Sequence, residues 1–120
     1  MNSPNNKLER RRWPRVKQQI PLKIVLDDYD AVGQTKDLSC IGAYCTVDKY
    51  IAPFSIISVI LLLPLQMKNN NKVCSVHCQG AVVRTEENPQ NNNKYNIAIY
   101  FNRIGQSDRA KLLQYVRQNL

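Results

Sequence analysis

The chain has 120 residues, a length that supports one hydrophobic core and one domain. Apolar residues make up 43% and charged residues 22%, ordinary globular usage that argues against a disordered or fibrous chain. The net charge of +8 is concentrated at one end: Lys7, Arg10, Arg11, Arg12, Arg15, Lys17 and Lys23 stand against Glu9 alone within residues 1–23, which points to an anionic partner.

The longest apolar run, residues 56–65, contains Ser58 and Pro64 and falls far short of the roughly 20 residues that span a bilayer. The opening MNSPNNKLERRR has no apolar stretch behind its charges, so a secretory signal is not expected and the cytoplasm is the expected compartment. In that compartment Cys40, Cys45, Cys74 and Cys78 are expected as free thiols.

In chain order, Val16, Ile20, Leu22, Ile24 and Leu26 share one parity and predict a half-buried strand over residues 16–26, with Pro21 on the other parity as at a sheet edge. A polar turn at residues 27–30 leads to a second strand over 31–36, interrupted by Gly33. Residues 37–42 form a turn, and Ala43, Cys45 and Val47 alternate as a third strand. Residues 54–63, bounded by Pro53 and Pro64, suit a strand buried on both faces, although length alone leaves a helix open. Residues 69–71 and 86–94 read as Asn-rich loops on either side of a long strand over 73–85 with a bulge at Gly80. Tyr95, Ile97, Ile99 and Phe101 alternate as a last strand. Ser107 or Asp108 then caps a helix whose Leu112, Leu113, Val116 and Leu120 share a face. The expected fold is mostly β, a small six-stranded antiparallel β-barrel over residues 16–120 with a C-terminal α-helix, preceded by a basic arm over residues 1–15.

Two local patterns carry chemistry. The run Glu9-Arg10-Arg11-Arg12-Trp13-Pro14-Arg15 sets four guanidiniums before the first strand. Arginine can fork onto phosphate oxygens or onto the O6/N7 edge of guanine, and its face can stack. The turn Asp37-Leu38-Ser39-Cys40-Ile41-Gly42 offers a carboxylate, a hydroxyl and a glycine, although by itself it also reads as an ordinary Asx turn. Together, Arg11-x-x-x-Arg15 and Asp37-x-Ser39-x-x-Gly42, a strand apart, resemble the paired signature of PilZ domains, bacterial receptors for the second messenger cyclic di-GMP. The resemblance extends to the last strand and the closing helix.

The resemblance implies that Arg11 and Arg15 grip guanine and phosphate from the arm, that Asp37 and Ser39 hold guanine and ribose from the barrel, and that Gly42 keeps the turn open. Arg10, one guanidinium further, implies two stacked cyclic di-GMP molecules rather than one. Ligand would order the arm, and a protein of the motility, polysaccharide or pilus machinery would read the new surface. Ala98 departs from the family's usual glycine.

Three alternatives compete. Cys74 and Cys78 have a zinc-knuckle spacing, but on a strand with His77 facing the other way they suit core packing better. An enzyme is not expected, because His77 is the sole histidine and stands without a nucleophile or carboxylate at a diagnostic spacing. A nucleic-acid-binding barrel would use the same arm and stack Trp13, Tyr44 or Tyr100 on bases, yet the sequence signatures of the common nucleic-acid modules are absent. A PilZ adaptor that has lost its nucleotide is a further possibility. The expected oligomeric state is a monomer, and no cofactor is expected beyond the ligand.

Overall fold

The computed structural model describes residues 13–120. Alternation of apolar and polar side chains organises six strands: β1 (Pro21–Val25), β2 (Asp30–Leu38), β3 (Gly42–Val47), β4 (Ile56–Gln66), β5 (Asn71–Asn88) and β6 (Asn91–Ile104). One helix, α1 (Gln106–Gln118), follows. All pairings are antiparallel, and the order β1-β2-β3-β6-β5-β4 closes on itself as β1 pairs with β4. Closure removes the unpaired sheet edges that an open six-stranded sheet would expose.

The interior is filled by the inward parity of each strand: Leu22 and Ile24, Ala31, Cys45 and Val47, Val59, Leu61 and Leu63, Val76, and Ile97 and Ile99 are all buried. Polar groups inside are satisfied. Thr35 accepts from the Ile20 amide at 2.9 Å and donates to the Gln18 carbonyl, and Asn96 Oδ1 accepts from Thr46 and Asn88. Helix α1 covers the β4/β5 side through Leu112, Tyr115 and Val116. The Gln118 amide closes two 2.9 Å bonds with the Gln66 backbone, completing the strand end there.

Several sequence expectations are corrected. The first strand is regular only from Pro21; before it, Val16 makes a single bridge to Leu38. Pro21 does not sit on a sheet edge, because the barrel has none; it lies one residue beyond the β1–β4 ladder, where its missing N–H costs no bond to β4. Strand β4 runs through Pro64 and is buried on one face only, with Ile56 and Leu62 exposed. Residues 86–94 are not a loop: β5 and β6 continue as a hairpin with Glu86 opposite Asn96 and Glu87 opposite Tyr95, leaving only Pro89 and Gln90 between the strands. The helix is capped by the extended backbone of Gly105, with no side-chain cap from Ser107 or Asp108. Tyr115, not Leu120, joins its buried face. The bulge at Gly80 is present as a register shift between Gln79 and Gly80.

Candidate functional site

The β2–β3 turn is fixed from within. The Ser39 amide donates to the Gly42 carbonyl at 2.9 Å, and Ser39 Oγ accepts from the Ile41 amide at 3.2 Å. Leu38, Ser39 and Cys40 are all buried. Val16 and Leu38 exchange backbone hydrogen bonds at 2.9 Å in both directions, which lays the end of the basic segment beside β2. Arg15 is thereby brought against Asp37, with Nη1 to Oδ1 at 2.9 Å.

Gly42 is the first residue of β3, opposite Tyr100. A Cβ there would lie 2.3 Å from the Ile99 carbonyl oxygen, so glycine is required for β3 and β6 to approach, not for a left-handed backbone.

Outside the barrel, an open depression of about 540 Å³ is lined by Arg15, Asp37, Tyr44, Arg84, Ala98 and Tyr100, among others. Its floor follows from strand register. Asp37 pairs with Tyr44, Tyr44 with Ala98, and Ala98 with Arg84, a row across β2, β3, β6 and β5. A bulge in β2 turns both Lys36 and Asp37 outward, and a bulge in β5 does the same for Val83 and Arg84. Lys36 Nζ stands 5.7 Å and Arg84 Cζ 5.8 Å from the Tyr44 ring centroid. The Tyr44 hydroxyl donates to Glu86 at 2.9 Å; burial, then this bond, push it above the ordinary tyrosine range.

Of the residues the sequence singled out, Arg15, Asp37 and Gly42 line this depression together. Ser39 does not; it is fully buried behind the turn with its hydroxyl bonded inward. Arg10 and Arg11 lie outside the described residues. Tyr44 and Tyr100 entered the sequence reading only as stacking residues of the nucleic-acid alternative, and Arg84 not at all; bulge and register place it, and neither is a local sequence signal. Among the described residues no group of three or more His, Cys, Asp or Glu could hold a metal ion. No described helix is long and apolar enough to cross a membrane.

The PilZ domain family model matches residues 9–118, which includes both motifs, all six strands and the helix. The chain belongs to the PilZ family. PilZ domains are ligand-binding receptor or adaptor domains. Two solved structures show the same fold at low identity. The chain is similar to the inhibitor of motility MotI/DgrA of Bacillus subtilis at 16% identity and a TM-score of 0.74, over 88% of this chain and 49% of that one. It thus spans about half the length of that protein. It is also similar to the PilZ domain of YcgR from Escherichia coli, solved with c-di-GMP, at 12% identity and a TM-score of 0.61, over 92% of this chain and 91% of that one. No curated protein sequence matches the chain.

Proposed function

We propose that this PilZ domain is a cyclic di-GMP receptor whose ligand occupies the depression over β3 and β6. The observation that carries the reading is the Arg15–Asp37 pair at its rim: a forked cation and a carboxylate, 2.9 Å apart, beside an open floor. The Asp37 carboxylate accepts the N1 and N2 hydrogens of guanine, and Arg15 donates to O6/N7 or to phosphate, a combination that adenine does not satisfy. Ser39 and Gly42 serve the site by fixing the turn and the floor.

Arg10 and Arg11 join Arg15 on the ligand phosphates, so that binding brings the basic segment onto the barrel. A partner protein reads the altered surface; motility machinery is the first class to examine, because one structural relative is an inhibitor of motility.

Hydrogen exchange tests the proposal. With cyclic di-GMP, amides of residues 8–15 and of the segment over residues 37–42 are expected to gain protection, and GTP is expected to give none. Unchanged exchange in both segments would refute it.

A further inference from the structure

The depression is built at two ends, and only one of them carries the sequence motifs. Asp37 and Arg84 occupy the outer members of the row Asp37, Tyr44, Ala98, Arg84, three inter-strand steps or about 14 Å apart in the backbone. That spacing suits a ligand with two separated polar groups.

Arg84 is exposed, lines the depression, and among the described residues makes no salt bridge, whereas Arg15 is paired with Asp37. Its guanidinium carbon lies over the Tyr44 ring, 5.8 Å from the centroid, and the Tyr44 hydroxyl is bonded in turn to Glu86. A guanidinium over an aromatic ring keeps its other face for a base and its edges for phosphate oxygens. Ala98, between Tyr44 and Arg84 in the row, adds only a methyl group to the floor between the two ends.

We infer that Arg84, positioned by Tyr44, is a second nucleotide-contacting cation, and that it takes the base face and phosphate of the far half of a guanine dinucleotide. This rests on the reading of the depression as the cyclic di-GMP site. A surface cation–π pair serving the sheet alone would leave ligand binding untouched, and this is the distinction to be tested.

The experiment is an NMR titration of the protein with cyclic di-GMP, following the Arg84 Nε–H and Tyr44 ring signals beside those of Arg15 Nε–H and the Asp37 amide. All four are expected to shift with one midpoint. Arg84→Lys, which keeps the charge but loses the fork, is expected to weaken binding about tenfold with an unchanged amide fingerprint elsewhere. Shifts at Arg15 and Asp37 without shifts at Arg84 and Tyr44, or wild-type affinity in Arg84→Lys, would overturn this inference and leave the receptor reading standing. Silence at both ends would overturn both.

Discussion

Arg15 Nη1 donates to Asp37 Oδ1 across 2.9 Å, although the residues are 22 positions apart in sequence. The backbone pairing of Val16 with Leu38 sets this contact, so the pair is placed by the fold and not by the attraction between the charges. Their side chains are 56% and 25% exposed, which limits the contribution to stability to within about 1 kcal/mol. Arg15→Ala and Asp37→Ala are therefore expected to leave the unfolding midpoint nearly unchanged. Each removes a charge-assisted bond to the ligand of about 1.5–3 kcal/mol, and calorimetry with cyclic di-GMP is expected to show the weakening. Full affinity in both variants would displace the site from this rim.

Gly42→Ala behaves differently. The added Cβ meets the Ile99 carbonyl at 2.3 Å, a backbone atom that moves only if β6 does. A loss of about 1–3 kcal/mol is expected by urea unfolding, from overpacking in a closed barrel. Unaltered stability would show that β3 and β6 separate more easily than their ladder implies.

Phe54 is 83% exposed and has φ of 72°, a left-handed backbone unusual for a bulky residue. Its amide is held by the Val82 carbonyl, a bond that any residue but proline retains. Phe54→Gly relieves the strain, partly offset by the freer unfolded chain, and a net gain of up to about 1 kcal/mol is expected in thermal or urea unfolding. A marked loss would mean that the ring contributes contacts of its own.

The thiols supply a pH dependence. Burial pushes Cys45 and Cys78 up to about 12, with Asp37 and Asp108 adding smaller upward contributions, and burial also raises Cys40 against the pull of Arg109 and Arg117. In the unfolded chain these thiols ionise near their ordinary value of 9.0, so above that pH the unfolded state binds fewer protons. Stability is expected to fall as pH rises from about 9 toward 12, and to be insensitive to these groups below it. At pH 8 a thiol reagent is expected to react first with the half-buried Cys74, and with all four cysteines only after unfolding.

The barrel was legible in the sequence wherever one strand face is buried, because period two marks residues such as Leu22 and Ile24 or Cys45 and Val47 without reference to their partners. The β5–β6 hairpin end was not legible. Its asparagines and Pro89 have the composition of a loop, and only the pairing of Glu86 and Glu87 with Asn96 and Tyr95 makes them strand. The same holds for the site. Arg15, Asp37 and Gly42 stand in sequence motifs, whereas Arg84 reaches the depression through a bulge and a cross-strand register. The inward turn of Ser39 was hidden because a hydroxyl satisfies its own turn as readily as a ligand.

Calorimetric titration of the purified chain with cyclic di-GMP, with GTP and cyclic di-AMP as controls, tests the central claim most directly. Saturable heat with cyclic di-GMP alone is the expected result, and a stoichiometry of two would assign Arg10 its part in holding a stacked pair. Absence of heat with cyclic di-GMP, or equal heat with cyclic di-AMP, would contradict the account.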